Sequence, residues 1–474
     1  MTGRTVRELS RELPVRGEYD VLVAGGGTAG VVAAIASARN GARTVLVEQL
    51  PLPGGTMANG GIVANSFFST YTPESPVPKR IVKGIPEEIE DRLIRVGGCP
   101  GAIKVDERKN SYHRPYLFIN DPEIYSAVIG EMLLESGVKV YLHTFLSDVL
   151  KDKNGQPYGV IVESKSSREA ILAKCFVDCT GDADLAVHAG ADPVIFYQEY
   201  NVKHLASVGK IFGIGNVNFE RFMEFAKQDG IVEEAVRGPK LGENNGYVRI
   251  SLNFTKGKLS STLAQKVNCR GMTFFSIHPN TIDFVNGIGK QDVNILDLDD
   301  FSEIELEMQS RICELTDFLK ENFPGFEASF LKSTANQIGI RASRVVETDY
   351  FPTIEEITNS ARFADEIGMY GHSDYAPVDE KSVMRNQGMY GLPYRMLLPK
   401  GVDNVLVAGR MVSCVLRSHM STRNTVSCMI QGQAAGTAAA LCAASGILPR
   451  DLPYSMLRSA LERGNVYFEP KNAD

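Results

Sequence analysis

The sequence predicts an α/β fold in which a parallel sheet, covered by helices and split in sequence, carries an inserted α+β domain. Three observations lead to this prediction. A strand–turn–helix–strand unit occupies residues 20–48, a second buried strand with a glycine turn occurs at residues 404–410, and the composition changes near residue 192. The two distant strands would complete one sheet, and most of the chain between them would form the insert.

Composition narrows the functional classes. The chain has 474 residues, a length typical of two or three domains, and 50 basic against 57 acidic residues give a net charge of −7. This acidic balance argues against nucleic acid as the partner. No apolar run approaches a membrane span, and residues 1–20 lack the apolar core of a signal peptide. The eight cysteines include no CxxC pair, so we expect a cytoplasmic protein with reduced thiols and no metal site.

The first turn of the N-terminal unit carries the pattern Gly-x-Gly-x-x-Gly. In this pattern Gly25 permits a tight turn, Gly27 lets the backbone approach a pyrophosphate, and Gly30 lets the helix lie close to the sheet. Glu48 follows Gly27 by about 20 residues, at the tip of the second strand, where a carboxylate binds ribose hydroxyls and repels a 2′-phosphate. The unit therefore predicts a site for FAD or NAD and disfavours NADP.

Two helices downstream have clear patterns. Residues 425–444 predict a helix with Gly432, Gly436 and Ala440 at four-residue spacing, a face that can pack closely on a sheet or a flat ligand. Residues 302–322 predict an amphipathic helix that ends at Pro324-Gly325. Its buried face would carry Ile304, Met308, Ile312, Leu315 and Leu319.

These motifs together resemble one known family. The unit at 20–48, the Gly54-Gly55 loop, the turn at 180–182, the strand end at 406–410 and the pattern at 432–436 are similar to FAD-dependent oxidoreductases of the glutathione-reductase type. This group is related to fumarate reductase and succinate dehydrogenase flavoprotein chains. The resemblance covers about half the chain by inspection.

The resemblance implies a Rossmann-like FAD-binding domain formed by residues 19–192 and 385–464. Residues 193–384 would form the substrate domain, and the Pro- and Gly-rich stretch 71–118 is a candidate lid. FAD is the implied cofactor: the first turn would hold its pyrophosphate, Glu48 its ribose, the backbone of Val149 its adenine, and the 54–56 loop its flavin. The implied FAD-binding residues are Gly25, Gly27, Thr28, Ala29, Gly30, Glu48, Gln49, Gly54, Gly55, Thr56, Val149, Gly181, Asp182, Gly409, Arg410 and Gly432.

Catalytic candidates follow from position and local charge. Six basic residues and one acidic residue lie between positions 385 and 423, although the whole chain is acidic. Arginines in this segment suit an anionic substrate, because a guanidinium stays charged and grips a carboxylate with two hydrogen bonds. Arg395 and Lys400 are as readily explained by pairing with acids elsewhere. The candidates beside the flavin are His419, as a proton-exchanging group, with Arg417, Arg423, Arg344 and His372.

The leading functional hypothesis is hydride transfer between flavin and a small anionic organic substrate, by dehydrogenation or by reduction of a C=C bond. No second dinucleotide unit is evident, because the Gly213-Ile-Gly215 pattern lacks a third glycine. Two alternatives stay open: a flavin monooxygenase that uses an external reductant, and a non-enzymatic FAD-binding subunit of an assembly or RNA-modification complex. The electron donor or acceptor and the oligomeric state are also left open.

Overall fold

The computed structural model describes residues 5–8, 10–65, 68–70, 79–104, 116–195, 208–291, 293–372, 388–412 and 416–470, with only the backbone of residues 416 and 417. Its strands are, in chain order, β1 (Val15–Ala24), β2 (Thr44–Val47), β3 (Ile103–Lys104), β4 (Tyr116–Leu117), β5 (Lys139–Tyr141), β6 (Phe145–Lys151), β7 (Pro157–Glu163), β8 (Arg168–Asp178), β9 (Pro193–Ile195), β10 (Val208–Gly209), β11 (Phe212–Gly215), β12 (Val232–Lys240), β13 (Glu243–Asn253), β14 (Gly271–Phe275), β15 (Ile282–Asn286), β16 (Phe330–Thr334), β17 (Gly339–Ile340), β18 (Arg344–Val346), β19 (Glu366–Tyr370), β20 (Tyr390–Pro393) and β21 (Val405–Val407).

The described residues form eleven α-helices. In chain order they are α1 (Thr28–Arg39), α2 (Ile85–Val96), α3 (Pro122–Glu135), α4 (Asp184–Ala189), α5 (Phe219–Asp229), α6 (Ser260–Lys266), α7 (Leu298–Asn322), α8 (Ile354–Thr358), α9 (Leu416–Thr422), α10 (Thr425–Ser445) and α11 (Tyr454–Arg463).

The larger sheet confirms the predicted α/β architecture. β5, β2, β1, β8 and β21 pair in parallel, and β7 and β6 extend the sheet from β8 in antiparallel fashion. Ala24 and Val407 both pair with Asp178, so strands from the two ends of the sequence finish at one edge. The carboxyl ends of parallel strands are where ligands bind in such sheets.

Two small residues of α10, Gly432 and Gly436, pack directly against α1. A Cβ at Gly432 would overlap the carbonyl oxygen of Ala29, and one at Gly436 would overlap that of Ala33. The sequence shows that such a face packs closely, but its partner is set by the tertiary fold. The expected contact of Gly432 with FAD is therefore replaced by a contact between two helices.

A second, six-stranded sheet is formed within the described residues 212–334, and all of its pairings are antiparallel. α7 packs on it through the five residues that the sequence predicts to be buried. The helix begins four residues earlier than expected, because the Asp297 side chain accepts hydrogen bonds from the backbone N–H groups of Asp299 and Asp300.

Two segments differ from the domain organisation that the sequence suggested. Val346, Ile357 and Met369 pack in the core of the larger sheet, so the chain returns to that core well before residue 385. In the candidate lid, α2 buries Ile89 and Leu93 in the same core, because apolar residues recur at helical spacing despite the flanking Pro and Gly. Residues 71–78 and 105–115 of that stretch lie outside the described residues.

Within the described part of the chain, neither a membrane-spanning helix nor a metal-binding cluster is present. No helix there is long and apolar enough to cross a membrane. No group of three or more His, Cys, Asp or Glu side chains there has an arrangement that could hold a metal ion.

Candidate functional site

A cavity of about 1420 Å³ lies between the carboxyl ends of the parallel strands and one face of the second sheet. Pockets for a single drug-sized ligand are about 300–1,000 Å³. The cavity therefore has room for a large cofactor and a second molecule. Its wall combines the Gly-rich first turn with residues from β13, β14 and β15, so both sheets contribute to one site.

The three glycines of the first turn have three different environments. Gly25 has φ +88°, and a Cβ there would come within 2.6 Å of the Cys179 carbonyl carbon. A Cβ at Gly30 would overlap the Gly25 carbonyl oxygen, so this glycine allows α1 to lie close to β1. A Cβ at Gly27 would have only the Cys179 carbonyl oxygen nearby, at 3.9 Å, and would project into the cavity.

This turn fits the phosphates of a dinucleotide. Gly27 is the N-cap of α1, and no side chain caps the helix. Thr28 and Ala29, in the first helical turn, line the cavity. Uncapped backbone N–H groups at a helix N-terminus, together with the helix dipole, bind phosphate, and the position of Gly27 leaves space for it.

Glu48 lies directly after β2 on the cavity wall, beside Gln49. Its carboxylate accepts hydrogen bonds from the backbone N–H groups of Gly26 at 2.5 Å and Leu50 at 2.7 Å. Burial raises the pKa of this carboxyl, and the backbone hydrogen bonds oppose the shift. Each carboxylate oxygen keeps capacity for a further donor, which suits the ribose hydroxyls.

The other implied FAD-binding residues divide into two groups. Gly54 packs on the Tyr125 ring, and Val149 is buried in β6. In this part of the chain, residues 144–147 line the cavity instead of Val149. Gly54 and Val149, together with Gly30 and Gly432, do not contribute to the wall formed by the described residues. Those that line the cavity are Gly25, Gly27, Thr28, Ala29, Glu48, Gln49, Gly55, Thr56, Gly181, Asp182, Gly409 and Arg410.

The candidate arginines differ in whether they line the cavity. Arg423 lines the cavity, and Arg344 lines it while its Nη2 lies 2.6 Å from Asp184. The Asp184 carboxyl has its pKa raised to about 6 by burial and by neighbouring carboxylates, although Arg344 opposes this. The Arg417 side chain lies outside the described residues. Arg395 and Lys400 pair elsewhere, with Asp365 at 3.0 Å and Glu347 at 3.1 Å.

Arg341 is a cavity residue that the sequence analysis did not select. It follows β17, and burial lowers the pKa of its guanidinium. The signal in the sequence is its place three residues before the candidate Arg344. Arg341 and Arg423 bring two guanidinium groups to one cavity from distant parts of the chain.

The structure does not bring His419 or His372 to this wall. His419 is 1% exposed, and its Nε2 donates to the Arg410 carbonyl oxygen at 2.7 Å. Burial lowers the His419 pKa to about 3, so the ring is neutral at neutral pH. His372 is also buried, and its carbonyl oxygen accepts from the Ser421 hydroxyl. The proposed proton exchange by His419 is thus at odds with its position.

The orientation of α9 explains this outcome. Met420 and Arg423 face the cavity, whereas Ser418, His419 and Ser421 point into the protein. Sequence position alone placed the histidine beside the flavin-facing helix, but the rotation of a short helix about its axis decides which side chains reach the cavity.

The chain matches the model of the FAD-dependent oxidoreductase family over residues 20–461. The 3-oxosteroid 1-dehydrogenase of Mycobacterium tuberculosis (strain ATCC 25618 / H37Rv) is 36% identical over 95 residues, 20% of this chain and 16% of that enzyme. The thiamine thiazole synthase of Methanococcus maripaludis (strain C7) is 28% identical over 180 residues, 36% of this chain and 59% of that protein. The matches thus span less than two thirds of either relative.

Among solved structures, a geranylgeranyl bacteriochlorophyll reductase-like protein from Thermoplasma acidophilum aligns with a TM-score of 0.46 and 13% identity. The alignment covers 95% of this chain and 84% of that one.

Proposed function

Because this chain belongs to the FAD-dependent oxidoreductase family, we propose that it transfers a hydride between FAD and a small anionic organic substrate. Family membership identifies the chain as an enzyme and FAD as its cofactor, so the alternative of a non-enzymatic subunit is set aside. Bound FAD supplies the hydride acceptor or donor. We also propose, from the motifs alone, that the chain is related to the glutathione-reductase-type and fumarate-reductase flavoproteins within this family.

The proposal that the substrate is anionic rests on the convergence of Arg341 and Arg423 on the cavity. A guanidinium stays protonated even where burial lowers its pKa, and it offers paired donors to a carboxylate. The attraction is stronger in a partly desolvated cavity than in water. These two side chains would bind the substrate carboxylate and fix the position of the adjacent carbon atoms.

The N-terminus of α10 adds positive potential at the same place. Asn424 and Thr425 line the cavity, and the side chain of the N-cap residue Asn424 makes no capping hydrogen bond. A helix N-terminus favours negative charge, whether on a substrate carboxylate or on an enolate that develops during hydride transfer. The site therefore combines fixed positive charge with a helix dipole where the reaction accumulates negative charge.

The test uses the FAD-loaded enzyme without oxygen, titrated with succinate, fumarate and other small carboxylates. We expect at least one carboxylate to shift the flavin spectrum and a suitable reduced acid to bleach it. Arg423→Ala should retain FAD and weaken carboxylate binding about tenfold or more, the usual cost of losing a charge-assisted hydrogen bond. Arg395→Ala is the matched control, because Arg395 pairs with Asp365.

Two results would overturn the proposal. One is a flavin spectrum that no carboxylate changes, and the other is equal behaviour of the Arg423 and Arg395 variants.

Stopped-flow mixing with NADH and NADPH distinguishes the proposed hydride transfer from the monooxygenase alternative. We expect slow reduction, because Gly213 and Gly215 lie within β11, whose pairings are antiparallel, rather than in a glycine turn that follows a parallel strand. Rapid saturable bleaching would favour the monooxygenase.

A further inference from the structure

One face of the second sheet supplies a row of three side chains to the cavity. Strand register pairs Arg249 of β13 with Phe275 of β14, and Phe275 with Phe284 of β15. All three residues line the cavity. Residues directly opposite one another on neighbouring strands lie on the same face of a sheet, so the row forms a continuous surface across three strands.

The two phenylalanines form an aromatic pair that is largely buried and reaches the cavity with a small part of its area. Their ring centroids are 5.1 Å apart and the ring planes are 84° apart, which is an edge-to-face arrangement. The Arg249 guanidinium carbon lies 5.7 Å from the Phe275 ring centroid. On the same cavity wall are the apolar side chains of Ile211, Ile295 and Phe301.

The charged side chains of this region are matched by partners within the protein. Arg249 forms an ion pair with Glu234 on the neighbouring strand β12. Glu305 of α7 pairs with Lys210 at 2.8 Å. This part of the wall therefore adds little net charge and suits an uncharged molecular body.

A polar pair adjoins the aromatic row. Thr273 and Asn286 pair directly across β14 and β15, two residues away from Phe275 and Phe284, and both line the cavity. A hydroxyl and a carboxamide at this position can exchange hydrogen bonds with a polar substituent of a bound ring. The wall thus has an apolar surface with a polar border along one side.

We propose that the second-sheet side of the cavity binds the ring system of an aromatic carboxylate, with Phe275 and Phe284 as the contact surface. This inference rests on the proposed function, because the carboxylate itself would bind Arg341 and Arg423. The cavity volume, which exceeds that of a pocket for one small ligand, accommodates such a molecule beside FAD. The substrate class is then an aromatic acid rather than a short aliphatic one.

Four probes test the ring and the charge separately on the unmutated holoenzyme. Benzoate and 2-naphthoate are aromatic acids, cyclohexanecarboxylate is an acid of similar size without an aromatic ring, and 2-naphthamide is neutral. Binding is measured by flavin absorbance and by calorimetry. We expect benzoate to bind about three- to tenfold more tightly than cyclohexanecarboxylate, the margin typical of one aromatic contact. We expect 2-naphthoate to bind more tightly than 2-naphthamide.

Leucine variants test the surface itself. Phe284→Leu and Phe275→Leu remove the rings while retaining apolar volume, and should abolish the preference for benzoate without changing acetate binding or FAD content. Phe330→Leu is the control, because Phe330 is exposed on β16 of the same sheet and does not line the cavity. If one variant fails to fold, the other variant and the probe comparison remain decisive.

The outcomes separate the two proposals. If carboxylates bind but benzoate binds no more tightly than cyclohexanecarboxylate, or the leucine variants keep the preference, the aromatic surface is wrong and the anionic substrate stands. If 2-naphthamide binds as tightly as 2-naphthoate while the ring preference persists, the proposed anionic substrate is wrong and the aromatic surface stands.

Discussion

Arg410 and Asp182 form an ion pair where two parallel strands end. The Arg410 Nη2 lies 2.8 Å from both carboxylate oxygens of Asp182, and both residues line the cavity. Gly181 permits this contact, because a Cβ there would lie 2.8 Å from the guanidinium. The pair neutralises a carboxylate at the point where the sequence implies that FAD binds.

We therefore predict that the removal of Arg410 and the removal of the Asp182 charge have different effects on FAD binding. Arg410→Ala should weaken FAD binding about tenfold, because Asp182 and Asp184 would then face the anionic cofactor without this guanidinium. Asp182→Asn should leave FAD affinity equal or higher. Titration of the apoprotein with FAD, followed by flavin fluorescence, measures both effects. Lys400→Ala, at the exposed pair with Glu347, is the control. Weaker binding by Asp182→Asn alone would contradict this arrangement.

Gly27 allows cofactor binding to be separated from folding. Its φ of −68° suits any residue, and an added Cβ would project into the cavity. Gly27→Ala should keep or slightly raise stability, since alanine restricts the unfolded chain, yet should yield protein without FAD. Gly130→Ala, where a Cβ meets nothing within 4 Å, should raise stability and retain FAD. Absorbance at purification and thermal unfolding measure both properties. Full flavin occupancy in Gly27→Ala would refute the phosphate site.

Local sequence patterns predicted the features that depend on residues close to one another along the chain. The glycine turn, Glu48 and the buried face of α7 each depend on spacings within a few residues or one βαβ unit, and the structure contains all three. The row from Arg249 to Phe284 could not be predicted, because it depends on the register of three strands. A one-residue shift in register would move each of these side chains to the opposite face.

His419 should act by positioning the Arg410 backbone rather than by exchanging a proton. His419→Gln can keep a side-chain N–H for the Arg410 carbonyl oxygen, so FAD content and the pH profile of turnover should persist, whereas His419→Ala should reduce FAD content. Turnover of both variants across a range of pH, measured with a carboxylate that bleaches the flavin, tests this role together with their FAD content. A changed pH profile in His419→Gln would instead support proton exchange.

The same histidine predicts a pH effect on stability. Its pKa is about 3 in the folded protein against 6.5 for the free group, so below pH 6.5 the unfolded chain binds a proton that the folded protein does not. Stability should therefore fall as the pH decreases from 6.5 towards 3. In His419→Gln this loss should be smaller, by about 2–3 kcal/mol at pH 4.5. Urea unfolding at pH 7 and pH 4.5 measures the difference, and equal pH dependence in both proteins would contradict it.

Glu90 lies on α2, and its carboxyl group is completely buried in the protein. Its Oε1 accepts hydrogen bonds from the side-chain amides of Asn65, at 2.6 Å, and Asn120, at 3.0 Å. Burial nevertheless raises its pKa to about 7, against 4.5 for the free group. Between these two values the folded protein holds a proton that the unfolded chain has released, so stability should fall as the pH rises from 4.5 to 7.

Glu90→Gln should remove this pH-dependent loss, because the amide oxygen can keep both hydrogen bonds and carries no charge. The shift in pKa corresponds to about 3 kcal/mol. An amide N–H left without a partner at the position of Oε2 would cost about 1–3 kcal/mol at every pH. The variant should therefore gain about 3 kcal/mol relative to the unmutated protein between pH 4 and pH 8, whatever its absolute stability. Urea unfolding at the two pH values measures this gain, with the exposed Glu131→Gln on α3 as control. A difference in stability that is the same at both pH values would show that the pKa of Glu90 is not raised in the folded protein.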